Sequence, residues 1–312
     1  LALELVPVGG VVVASHDCYG GTWRLLDAWA RKGRSRVIFA DLADAVELSA
    51  AFAQTPDLVW IETPSNPLLR ITDIRHVAHA AHAAGAIVIV DNTFLSPMLQ
   101  RPLALGADVV VHSTTKYING HSDVVGGAVV AKDAAVVEKL GWWANCLGLT
   151  GAPFDSFLTL RGLRTLAPRL RAHEENAALV AELLVSHRAV TRVFWPGLRA
   201  HEGHALALRQ QHGFGAMLSF ELDGGEPAIE AFLEGLRCFS LAESLGGVES
   251  LVAHPATMTH ASMAPEARRK AGITDALLRL SVGIEDGADL RADLHSALER
   301  ALVVAPSKQA SA

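Results

Sequence analysis

Short runs of apolar, largely β-branched residues recur through the first part of the chain: VVVAS from Val11, RVIFA from Arg36, LVWIE from Leu58, IVIVD from Ile87, DVVVHS from Asp108 and GAVVA from Gly127. Neighbouring positions in each run are apolar rather than alternating with polar ones, the pattern of strands covered on both faces. Between them lie amphipathic stretches, among them TWRLLDAWARKG and DIRHVAHAAHAAG, which close on Gly33 and Gly85. Glycines there suit helix C-caps. The pattern predicts a mostly parallel sheet with helices on both faces, an α/β architecture. Ligands of such sheets sit beyond the carboxyl ends of the strands, so the residues just after each run carry the functional interest.

From Phe154 to about Ser186 the pattern is helical and is expected to link two domains, with Pro168 kinking or breaking it. Strand-like VTRVFWP, AMLSFELDG and LLRLSVGIE follow from 190, 216 and 277, with helices expected near 226–236 and 288–302, an α+β module. The reading is a large domain over residues 1–164 and a smaller C-terminal one over 165–312. There is no internal repeat or low-complexity tract.

Half the residues are hydrophobic and 19% are charged, enough apolar surface for a buried core. A formal net charge of -6, with no basic run beyond Arg31 to Arg34, argues against nucleic acid as a partner. Cys18, Cys146 and Cys238 form neither a CxxC pair nor an even set, which suits a reducing cytosol and a cytoplasmic location. No apolar run approaches the roughly 18 residues of a membrane span, and no signal peptide is visible.

The strongest chemical signal is DVVVHSTTKYINGHSDVVGG, Asp108 to Gly127. Lys116 follows a buried strand beside Ser113 and Thr115, whose hydroxyls can donate to phosphate oxygens, while Gly120, Gly126 and Gly127 let a ligand approach the backbone. An amine so placed can form a Schiff base with an aldehyde, although the same short motif also fits an ordinary surface lysine. Asn66, Asp91 and Lys116 recur at equal intervals of 25 residues, each at or just past a strand end. Successive strand and helix units therefore deliver an amide, an acid and an amine to one edge of the sheet. A carboxylate at Asp91 would keep a pyridine nitrogen protonated, and read alone it is equally a helix N-cap.

These segments, with HDCYGGT, ETPSNPLLR, DNTFLSP, RGLRTL, LAESLGGVES, HPATMTHASM and LLRLSVGIED in order, make the chain resemble the Cys/Met-metabolism family of pyridoxal-phosphate enzymes nearly end to end. The resemblance implies the fold type I (aspartate-aminotransferase-like) transferase fold, pyridoxal 5'-phosphate as cofactor and a homotetramer built as a dimer of dimers. It implies Lys116 as the lysine that holds the cofactor and shuttles protons, Asp91 as the partner of the ring nitrogen, and Ser113 and Thr115 as phosphate donors. Tyr19 would cover the ring, the other reading being a buried core aromatic. Arg279 would clamp the substrate carboxylate with help from Asn66 and the Ser244 region, since an arginine in an apolar strand needs a partner. Glu243 resembles the residue of cystathionine-handling members that meets the amino group of an incoming cysteine, against the plainer reading of a solvated loop glutamate. The implied activity is γ-replacement, forming cystathionine from an O-acylhomoserine, with succinate preferred as leaving group, in methionine biosynthesis. Elimination from cystathionine and sulfhydrylation of the ester are the alternatives, and a relic that only binds partners is the alternative of another class. A nucleotide-binding dehydrogenase is disfavoured because no GxGxxG follows any strand.

Family members also carry an N-terminal segment with phosphate-binding and partner-reaching residues. Its counterpart is missing before Leu1, so the chain reads as a fragment of an intact enzyme. No metal is expected: His76, His79 and His82 lie three apart without carboxylate ligands and read as a plain helix face. Trp142 and Trp143 read as core or interface aromatics.

Overall fold

The computed structural model describes residues 1–259, 266, 268 and 271–304. They form two compact units: 1–66, 70–166 and 202–214 in the first, and 67–69, 167–201 and the described residues from 215 onward in the second. Elements of the N-terminal half are β1 (Gly10–Ser15), α1 (Gly20–Arg31), β2 (Ser35–Ala40), α2 (Ala45–Phe52), β3 (Leu58–Glu62), α3 (Ile74–Ala83), β4 (Ile87–Asp91), α4 (Ser96–Leu99), β5 (Val109–Ser113), β6 (Gly127–Ala131) and α5 (Ala134–Leu147). Then follow α6 (Pro153–Leu163), α7 (Leu166–Ser186), β7 (Val190–Phe194), α8 (His204–Gln210), β8 (Met217–Leu222), α9 (Gly225–Leu233), β9 (Phe239–Leu241), β10 (Ser250–Ala253), β11 (Leu277–Ser281) and α10 (Gly287–Val304).

The first unit is built on a six-stranded sheet of order β2-β1-β3-β4-β5-β6. Every neighbouring pair is parallel except β5 with β6. The expected mostly parallel sheet is therefore present. Because side chains alternate across a strand, an all-apolar strand feeds two cores at once. Val59, Ile61, Val88, Val90 and Val110 pack with Leu48 and Ala51 of α2 and Ile74, Val77, Ala78 and Ala81 of α3. The intervening Leu58, Trp60, Ile89 and Val109 pack with Leu26 of α1 and Leu140 of α5. Each such aliphatic side chain contributes about 1.5–3 kcal/mol when fully buried. Asp44, Asp73 and Asp133 cap α2, α3 and α5, each accepting backbone N–H bonds, and Gly33 and Gly85 take the left-handed conformation just beyond α1 and α3.

The second unit carries a five-stranded sheet of order β7-β8-β11-β10-β9, antiparallel except for β10 with β9. The three longer strands lie where their hydrophobic patterns place them. Leu290, Leu294, Ala297, Leu298 and Ala301 form the buried stripe of α10. Asp293 on the same helix accepts bonds from Arg237 N (3.0 Å) and Cys238 N (2.8 Å). One expectation is corrected. The helical stretch breaks at Arg164 and Thr165, between α6 and α7, and not at Pro168. Pro168 stands in the first turn of α7, where its missing N–H would have had no intrahelical partner in any case. No helix among the described residues is long and apolar enough to cross a membrane.

Candidate active site at the carboxyl edge of the first sheet

The parallel strands β3, β4 and β5 lie side by side and run the same way, so their carboxyl ends share one edge. Asp91 ends β4. Lys116 lies three residues past the end of β5 and Asn66 four past the end of β3. The expectation that the amide, acid and amine meet on one edge thus holds at the level of topology.

The turn after β5 is closed by Asn119 N to Thr114 O (2.9 Å) and Gly120 N to Lys116 O (2.8 Å), leaving Lys116 half-buried. Thr115 Oγ1 accepts from Gly126 N at 3.0 Å and Thr114 N donates to Gly126 O at 3.0 Å, fastening the glycine-bearing return strand to this turn. A side chain at Gly126 would strike Thr114 Oγ1. On the other side, a side chain at Gly162 of α6 would collide with the backbone of Asn119, so the glycine of RGLRTL lets this helix press on the turn carrying Lys116. The sequence motif contained Gly162 without revealing what it touches.

Asp91 accepts from Thr93 N (3.0 Å) and Thr93 Oγ1 (2.6 Å), and Thr93 Oγ1 in turn accepts from Ser113 N (2.9 Å). This relay joins the ends of β4 and β5. Part of Asp91 reaches the surface, yet enough protein surrounds its carboxyl that desolvation raises its pKa, against the lowering effect of the two Thr93 bonds. Tyr19 precedes α1 and is 54% exposed, which excludes the reading of a buried core aromatic. Its ring lies over Gly21, where any Cβ would overlap the ring carbons.

Sequence reasoning missed two features. Glu62, the last residue of β3, is buried and accepts Tyr19 N at 2.7 Å. Burial pushes its carboxyl well above the usual range, with the nearby Asp91 adding to the shift. The signal was an acid at the end of an otherwise apolar run. The second is a clamp joining two loops: Arg70 Nη1 and Ser65 Oγ both donate to Asp17 Oδ2, at 3.3 and 2.5 Å. It ties HDCYGGT to ETPSNPLLR.

Arg279, Glu243 and Ser244 belong to the second unit. Arg279 is 2% exposed in β11, and its Nη2 donates to the carbonyls of Glu243 (2.8 Å) and Ser244 (3.0 Å). The partner the sequence demanded for this arginine is thus supplied in part by backbone. The Glu243 side chain is exposed. The tail of HPATMTHASM, 260–263, lies outside the described residues. His76, His79 and His82 are exposed along α3, and His82 Nε2 bonds Asp108 Oδ2 at 3.0 Å. Trp142 is exposed, edge-on to Trp143 with ring centroids 4.9 Å apart.

The donor set at the first sheet's edge fits an aromatic aldehyde bearing a phosphate: an amine, hydroxyls and glycines on one turn, and on the adjoining strand a desolvated carboxyl that a ring N–H⁺ would relieve. A doubly covered, mostly parallel sheet with this edge is that of a pyridoxal-phosphate-dependent transferase of fold type I. The model of the Cys/Met metabolism PLP-dependent enzymes matches residues 1–299, and the chain belongs to that family. It is 58% identical over 293 residues to the cystathionine gamma-synthase of Escherichia coli (strain K12), covering 94% of this chain and 76% of that one. The crystal structure of cystathionine gamma synthase from Xanthomonas oryzae pv. oryzae, in complex with aminoacrylate and cysteine, superposes with a TM-score of 0.96 at 64% identity, covering 97% of this chain and 79% of that one. The cystathionine gamma-lyase of Dictyostelium discoideum is 48% identical over 297 residues, covering 95% and 77%.

Proposed function

We propose that the chain catalyses a γ-replacement, forming cystathionine from an O-acylhomoserine and cysteine. The observation that carries the reading is the single strand edge bearing Asp91 and the Lys116 turn, on neighbouring parallel strands. The choice of reaction within the family is supported by the 58% and 64% identities to gamma-synthases, above the 48% to a gamma-lyase. Bound pyridoxal phosphate supplies an electron sink for the charge left when a substrate C–H bond breaks. Lys116 Nζ holds the cofactor and, once freed, accepts the α-proton and delivers protons at the adjoining carbon. Asp91 keeps the ring nitrogen protonated, while Ser113 and Thr115 donate to the phosphate. Tyr19 covers the ring and assists the incoming nucleophile. Arg279 binds the substrate carboxylate with Ser244, and the exposed Glu243 carboxylate meets the amino group of the cysteine.

A homotetramer is the assembly we infer. Trp142, Leu147, Leu149, Phe154, Phe157 and Leu160 are exposed along α5, α6 and the segment between them, more apolar surface in one stretch than a solitary chain usually leaves in water. Product analysis tests the activity. Succinyl- or acetyl-homoserine with cysteine should give cystathionine faster than either ester with sulfide gives homocysteine, and faster than cystathionine alone gives oxobutyrate. A dominant oxobutyrate or homocysteine signal would replace this reading by the lyase or the sulfhydrylase.

A further inference from the structure

The reaction as proposed leaves a buried carboxyl at the site without a task. Glu62 ends β3 in register with Asp91 at the end of β4. Residues paired in register on parallel neighbours project to the same face, about 4.8 Å apart along the hydrogen-bonding direction. Two carboxyls therefore lie side by side at the edge where the cofactor-holding turn begins. Burial of a carboxyl is unfavourable unless hydrogen bonds compensate it. Here two main-chain donors converge on it: Tyr19 N at 2.7 Å, and the N–H of Asn66. Glu62 N also donates to Ser15 Oγ at 3.3 Å, fixing the end of β3 against β1.

The Tyr19 N–H is no ordinary donor. Tyr19 stands at the head of α1 with a non-helical backbone, φ -46° and ψ 133°, and its own side chain makes no capping bond. Without Glu62, an N–H at a bend between strand and helix would lose its partner, and the main chain would lose one of the bonds that set the residue whose ring lies over Gly21. We propose that Glu62 is a positioning residue, whose carboxyl grips the main chains of Tyr19 and Asn66 beside Asp91 and so sets the phenol and the amide relative to the partner of the ring nitrogen. Desolvation and the neighbouring Asp91 both favour the protonated form of Glu62. Glutamine, with an acceptor oxygen in the same place and no charge to desolvate, is the close substitute.

This inference rests on the reading of Tyr19 as the ring-covering residue, and its test separates the two. The dissociation constant of pyridoxal phosphate and the visible circular dichroism of the bound cofactor are measured for the parent, E62Q, E62A, Y19A and the double variant E62A/Y19A. Melting of each cofactor-free protein serves as the check on folding. E62A should weaken cofactor binding about tenfold and reduce the dichroism, the loss of roughly one good hydrogen bond at the site. E62Q should stay within about threefold of the parent, and in the Y19A background E62A should add less than about threefold, because residues acting as a unit are not additive. If E62A does not fold, E62D replaces it: one methylene shorter, it cannot reach Tyr19 N and should lose what E62Q keeps. An E62A that binds and rotates light like the parent while Y19A is impaired would overturn the role of Glu62 alone, as would E62A and Y19A effects that multiply independently. A Y19A protein indistinguishable from the parent would overturn the reading of Tyr19 and this inference with it.

Discussion

At the edge of the first sheet two acids end neighbouring strands, Glu62 and Asp91, both with carboxyl pKa values raised chiefly by burial. In the second sheet a buried cation, Arg279, stands in the middle of β11 with its Nη2 held by two backbone carbonyls. The first arrangement holds desolvated acids, a state that a nearby cation would relieve, whereas in the second two backbone carbonyls already meet the buried charge on one side. The two regions thus differ in how far the fold itself offsets the charge that it buries.

The strongest way to break the comparison is to remove the amine. K116A should lower turnover by a factor of about 10³ or more and abolish the borohydride-trapped adduct, while the melting temperature of the cofactor-free protein changes little, since Lys116 is half-buried on a turn. Next come paired substitutions in the two regions. D91N should reduce kcat about 100-fold and yet leave the cofactor-free protein as stable or more stable at pH 8, because an amide carries no desolvated charge. R279M should raise the KM for the ester by about tenfold or more and also destabilise the fold by roughly 1–3 kcal/mol, because two carbonyls lose their donor. Kinetics and thermal melts of both proteins would refute the comparison if D91N unfolded readily and R279M did not.

The pH dependence sharpens it further. Acids raised on folding stabilise the folded state below the ordinary carboxylate pKa and lose that contribution as pH rises through their folded values. The cofactor-free protein should therefore weaken with rising pH to the extent that Glu62 and Asp91 dominate, and D91N should flatten that limb. Buried His112 and His173 have the opposite sign. Burial lowers each from 6.5 to about 4, so their contribution is present above 6.5 and lost as pH falls toward 4. Each is worth up to roughly 3 kcal/mol. His173 Nδ1 donates to Val282 O at 2.6 Å, so H173Q, whose amide can keep that bond, should soften acid unfolding. The smallest expected effect belongs to Glu243. With its side chain exposed, E243Q should move the melting free energy by less than about 0.5 kcal/mol while raising the KM for cysteine and not that for the ester.

Much of this was legible in the chain. The six strands of the first sheet were readable because burial on both faces removes polar residues from a run, and Gly33 and Gly85 mark helix ends because left-handed backbone there selects glycine. The shared edge of Asp91 and Lys116 followed from each standing at or just past the end of an apolar run; their equal spacing of 25 residues is not that of the strands, which end at Glu62, Asp91 and Ser113. Pro168 misled because a proline that ends a helix and one that opens the next look alike in sequence. Strands β9 and β10 are three and four residues long and enter the sheet through the pairing of β10 with the distant β11, which local pattern cannot convey.

By itself, then, the sequence determined the strand and helix pattern, the family and the residues able to carry its chemistry, since those depend on local periodicity and on residue type. Only the tertiary structure decided that Glu62 stands beside Asp91, that Gly162 presses on Asn119, and that the carbonyls of Glu243 and Ser244 hold Arg279. Such pairings depend on strand register and on the close approach of segments far apart in the chain, and desolvation, which sets the charge of a buried group, exists only once those segments have packed.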